Sequence, residues 1–106
     1  MIVVTSEAIA NKRIVKTLGI VRGNTVRARH IGKDILAGLR NIVGGEVHEY
    51  AKLVAESREQ SLDRMTAEAT ALGANAVIAT RFTTSVLMGG AAELLAIGTA
   101  VVIEDA

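Results

Sequence analysis

Glu46, His48 and Glu49 form the densest grouping of potential ligands in the chain. Imidazole and carboxylate are what a borderline divalent ion takes when thiolates are absent, and the chain has no cysteine. The spacing serves a single-chain site poorly. At the start of a helix, residues 46 and 49 share a face while 48 points elsewhere. The other imidazole, His30, is remote in sequence, and no His-x3-His pair exists. Two acids in a first helical turn are already favoured by the macrodipole, without any ion. His48, Glu46, Glu49 and His30 therefore stand as weak metal candidates, which several copies around an axis could still make converge.

Gly44-Gly45 precedes the same helical pattern, where backbone N–H groups can hold an anion. A joint between two helices, with a backbone that favours glycine, explains the pair more simply. Arg27 and Arg29 share a face if they lie on a strand, and with Arg22, Lys33 and Arg40 they could meet phosphates. Only Tyr50 and Phe82 are aromatic, too few for the base stacking that nucleic-acid binders use. Solvated or intersubunit charge is the preferred reading, and nucleic acid is not expected. Ser57, Ser61 and Ser85 lack a nucleophile-elbow context. Glu93 is an acid inside an apolar run, and pairing with Arg81 across a hairpin is expected to satisfy it.

These residues need elements to hold them. Residues 2–5, "IVVT", are β-branched and strand-like. Residues 13–29, "RIVKTLGIVRGNTVRAR", predict one long bent strand or a hairpin at Gly23-Asn24. From residue 33 the period turns helical, through Ile35, Leu36, Leu39, Ile42 and Val43. A second, longer helix runs from Glu46 to Leu72, with Ala51, Val54, Leu62, Met65, Ala69 and Leu72 on its apolar stripe and Gly73 as the stop. At that length it spans about 40 Å. Two strands follow around Gly89-Gly90.

The last strand is apolar on both sides. Leu95, Ile97, Val101 and Ile103 alternate with Leu94, Ala96, Ala100 and Val102. Such a strand has to be covered on both faces. The long helix covers one, and a second subunit, meeting Leu95, Ile97, Val101 and Ile103, is expected on the other. Residues 82–103 carry one charge, Glu93, and are long enough to span a bilayer. Their Thr, Ser and Gly content and the central acid argue against it.

A chain of 106 residues, half of them hydrophobic, fits one domain, residues 1–106, with much apolar surface for its size. Net charge is +1. The bases gather in residues 12–40 and the acids beyond, which favours an anion-binding face or pairing between copies. Residues 1–13 carry no export signal pattern, so a cytoplasmic protein is expected.

"VTSEAI", "LGIVRGNTVRARHIGKDILAGLRNIVGGE", the pattern EAxxLGANAVI and "GTAVVIE" together resemble the YbjQ-like family, over about residues 2–104. That family is labelled as heavy-metal-binding and has no settled biochemical role. The resemblance implies a β-α-β-β domain similar to dodecin subunits, assembly as a homopentamer, and a divalent metal ion as the one cofactor its label suggests. Where relatives carry acids and a Tyr, this chain has Thr83, Val86 and Ile97, which would weaken a site built there.

The sequence thus predicts an α+β subunit: a two-layer β-α-β-β arrangement with a curved, mostly antiparallel sheet, one short helix and one long. Binding of a small ligand or metal ion by a homopentameric scaffold is the leading function. An enzyme with active sites at subunit junctions, or a purely structural protein, are the alternatives.

Overall fold

The computed structural model describes residues 1–27, 46–86 and 92–106, apart from the side chains of residues 27, 46–51, 53, 86 and 92. The expected short helix, His30, Arg29, Gly44, Gly45 and Gly89-Gly90 lie outside the described residues. The elements are β1 (Ile2–Val3), β2 (Lys12–Arg27), α1 (Glu46–Ala71), β3 (Ala76–Val86) and β4 (Ala92–Asp105). The strands form a mixed sheet in the order β1-β3-β4-β2, and α1 packs on one side. This is the α+β class expected.

Residues 12–27 form one strand, not a hairpin at Gly23-Asn24. β2 runs antiparallel to β4 along its whole length, with register shifts between Ile14 and Lys16 and between Thr17 and Gly19. The apolar run from 82 to 103 supplies the end of β3 and most of β4. Among the described residues, no helix is long and apolar enough to cross a membrane.

Strand pleating sorts the sheet into two faces. Val21, Gly23, Thr25, Val77, Ala96 and Ala100 face α1. Asn24, Arg22, Ile20, Leu95, Ile97, Thr99 and Thr83 face away from it. Small residues fill the helix side, so α1 comes down almost onto the backbone of β2. A Cβ placed on Gly23 would collide with the carbonyl of Ser61 and the amide of Met65.

The buried stripe of α1 is Ser57, Ser61, Met65 and Ala69, spaced by four. Val54 and Leu72, expected on that stripe, are exposed instead. Ser61 is satisfied locally. Ser61 Oγ donates to Leu94 O at 3.1 Å and shares a 3.3 Å hydrogen bond with Thr25 Oγ1. Gly73 ends the helix at φ +91°, the left-handed geometry that favours glycine after a C-cap. Asn75 then extends the ladder with its side chain, donating from Nδ2 to Ile103 O at 2.9 Å and accepting from Ile103 N at 2.7 Å.

Residues 4–11 correct one expectation. The chain itself covers part of the second face of β4. Val101 is fully buried and Ile103 is 8% exposed, in a cluster with Ala76, against which Ile9 and Ile78 pack. The segment is held by Val4 N to Val77 O, Thr80 N to Val4 O and Ala79 N to Ser6 O, at 2.9–3.0 Å. Sequence periodicity read residues 4 and 5 as the end of a strand, which stops at Val3 instead, and assigned no role to residues 6–11, and so left Val101 and Ile103 without an internal cover.

Candidate functional site

The first turn of α1 begins at Glu46, which puts Glu46, His48 and Glu49 at a helix start, as their sequence pattern implies. Arg27 closes β2, in register with Ala92. Among the described residues, no group of three His, Asp or Glu side chains is placed to hold a metal ion. The side chains of the candidates Glu46, His48 and Glu49 lie outside the described residues, as does His30.

Glu93 lies between Val26 and Ser85 on the face away from α1. Its carboxylate accepts from Asn24 Nδ2 at 3.2 Å. Arg81 is not its partner. Arg81 is in register with Ile97, well along the strand from Glu93. Its guanidinium donates to Thr5 O at 2.7 Å and Thr80 O at 2.8 Å, fastening the N-terminal segment. The expected pair fails on register: Ser85, not Arg81, stands opposite Glu93.

Two ion pairs close the far end of the sheet, Lys12 with Asp105 and Arg13 with Glu104. The hydrogen bond from Lys12, then the charge of its ammonium, holds the Asp105 carboxyl below its ordinary value. These pairs use two of the bases that composition left open for anions. Lys16 and Arg22 remain exposed on β2.

On the same outer face a shallow hollow is lined by Ile20, Ala79, Ile97, Gly98 and Thr99. Ala79 has φ +53° at the register shift between Ile78 and Arg81. A non-glycine residue held there marks a locally strained backbone. No acid, base or thiol lines the hollow, so it offers apolar contact and the Thr99 hydroxyl, not proton transfer. Leu95 and Ile97 are half-buried here, whereas Val101 and Ile103 are inside the subunit. The four residues expected at one interface thus divide into two environments.

The family model described as "Putative heavy-metal-binding" matches residues 1–104. The chain belongs to the YbjQ-like family. A UPF0145 protein of Dehalococcoides mccartyi is 55% identical over 104 residues, covering 98% of this chain and all of that one. A UPF0145 protein of Archaeoglobus fulgidus is 56% identical over 101 residues, covering 95% of this chain and 94% of the relative. A crystal structure from Pediococcus pentosaceus, of a protein of unknown function in the DUF74 family, superposes with a TM-score of 0.64. It covers 98% of both chains at 14% identity, and at that identity the likeness concerns the fold alone.

Sequence reasoning missed the burial of Thr25 on β2 and of Ser57 and Ser61 on the facing stripe of α1. The signal was present: Ser57, Ser61, Met65 and Ala69 are small or flexible residues at a strict spacing of four.

Proposed function

We propose that this chain is the subunit of a cytosolic, non-enzymatic homo-oligomer, a ring of five copies. The ring acts as a binding or scaffold protein and takes a small ligand or metal ion where copies meet. The observation that carries this reading is the outer face of the sheet. Ile20 is 62% and Val26 51% exposed, next to half-buried Leu95 and Ile97. Exposed apolar side chains on one face, here interleaved with exposed Arg22 and Asn24, suit an interaction surface, and covering them contributes roughly 25 cal/mol per Å². The number five comes from the family resemblance. Repetition about an axis is also how one donor per copy becomes a ligand set, as metal binding in this family would require.

Light scattering and native mass spectrometry test the assembly. A ring of defined size at micromolar concentration is expected, and a monomer there would overturn the proposal. Elemental analysis of untagged protein, with melting curves across a panel of divalent ions, tests the ligand. Stoichiometric retained metal, or a specific rise in melting temperature, supports the metal arm. The absence of both overturns the metal arm.

A further inference from the structure

Among the described strands, the sheet has two open edges. One is the free side of β2, whose regular half, residues 20–27, follows the last register shift. The other is β3 from residue 81 to 86. β1 and the segment behind it pair with β3 only as far as Thr80, and Arg81 Nη1 ends that contact on Thr5 O. An open strand edge presents unpaired N–H and C=O groups, a template for a further strand. β2 and β3 are both antiparallel to β4, so they run in the same direction on opposite sides of the sheet.

The helix is offset in a matching way. α1 packs mainly on β2, less on β4, and scarcely reaches β3. Phe82, on the helix side of β3, is left 42% exposed, and Val54 on α1 is 37% exposed. One edge of the sheet therefore has helix to spare, and the other has an aromatic ring without cover.

We propose that residues 20–27 of β2 pair in parallel with residues 81–86 of β3 from a second copy of this chain, whose Phe82 then packs beside α1. This inference rests on the self-association reading above and specifies its geometry. A head-to-tail contact between two different edges is heterologous, and it gives a ring where the rotation closes and an open filament where it does not. Rotation about an axis lying roughly along the strands keeps their direction, which makes the junction parallel. A twofold dimer through β2 alone would be antiparallel and would stop at two copies. In the ring no open edge is left on either strand, and the outer face of the sheet continues from copy to copy.

The absence of cysteine in the chain makes disulfide trapping clean. Ile20→Cys, Arg22→Cys, Asn24→Cys and Val26→Cys, each combined with Thr83→Cys or Ser85→Cys, cover the same-face registers over this overlap. All six positions are exposed in the subunit, so the fold should survive, as circular dichroism would show. Within one chain β4 separates the two edges by about 10 Å, beyond the reach of a disulfide. Mild oxidation of at least one double variant is expected to give a covalent ladder ending at the mass of the native assembly, with its single variants remaining uncrosslinked. Covalent dimers from a single β2 variant would overturn the pairing in favour of β2 against β2. An assembled wild-type protein with no double variant crosslinking would overturn the edge pairing alone. A monomeric wild type would overturn self-association itself. Phe82→Asp gives an independent reading: a folded subunit of reduced mass is expected, and an undisturbed assembly counts against the proposal.

Discussion

Gly23 lies directly beneath Ser61, so that the α-carbon of one strand residue touches the helix backbone with no side chain between them. That contact sets the distance between the two layers. It explains why the residues around it are small or hydroxylated: Thr25 and Ala96 on the sheet, Ser57 and Ser61 on the helix. A helix this close leaves no room for a side chain at position 23 itself, and the polar groups around it must be satisfied within the seam.

Gly23→Ala should therefore destabilise the subunit strongly. The added methyl meets backbone on two sides and the Arg64 Cβ on a third, and none of these is the free end of a flexible side chain. Overpacking of this kind costs about 3 kcal/mol. Urea unfolding should show a lower midpoint at unchanged slope. A shift below about 0.5 kcal/mol would mean that the helix does not sit where it is described.

Ser61→Ala and Thr25→Ala should each cost about 1–2 kcal/mol, because each removes a buried hydrogen bond. The double variant should cost less than the sum, since the first change already breaks the hydroxyl pair. A double-mutant cycle measures that coupling. Strict additivity would show that the two hydroxyls do not interact.

Val101→Asp and Ile20→Asp should behave differently, although both residues are apolar and face away from α1. Val101 is fully buried in the subunit, and an unpaired carboxylate there should prevent folding. Ile20 is 62% exposed, so its aspartate should leave the subunit folded and lower only the assembled mass. Circular dichroism and light scattering together separate the two results. A folded Val101→Asp subunit would contradict the covering role of residues 4–11.

Asp105 predicts a modest acid sensitivity. Its carboxyl is held low by the hydrogen bond from Lys12 and by that residue's charge. An acid depressed in the folded state stabilises that state at pH values above its unfolded value. The contribution is lost as pH falls through the folded value, here below the ordinary 3.8. Asp105→Asn should flatten the decline of melting temperature between about pH 5 and pH 2. The effect should be small for so exposed a pair and should shrink further with added salt. Superimposable curves for the two proteins would show that the pair contributes nothing.

Much of the fold was legible because its elements are long and periodic. The stretch from Glu46 to Leu72 is α1 with one residue fewer, and the two-sided apolar pattern of 94–103 correctly marked β4 as covered on both faces in part. The errors have a common cause. Burial of Val101 depends on a segment with no periodicity, and burial of Ser57 and Ser61 depends on the absence of a side chain at Gly23. Both are tertiary facts that a linear pattern does not encode. Glu93 was misassigned because cross-strand partners depend on register, which a linear pattern does not give: Arg81 stands opposite Ile97 and Ser85 opposite Glu93. The site was less legible still: its candidate ligands are few, and the side chains of Arg27, Glu46, His48 and Glu49 lie outside the described residues.

The two register shifts of β2 fall in its first half, before Ile20. Extra residues there bend and twist the strand, spoiling it as a flat template for stacking. A polypeptide with sixteen residues of border strand and no proline would otherwise be a natural seed for fibrils. By confining its regular backbone to residues 20–27, β2 limits the registers in which a further strand can pair with it.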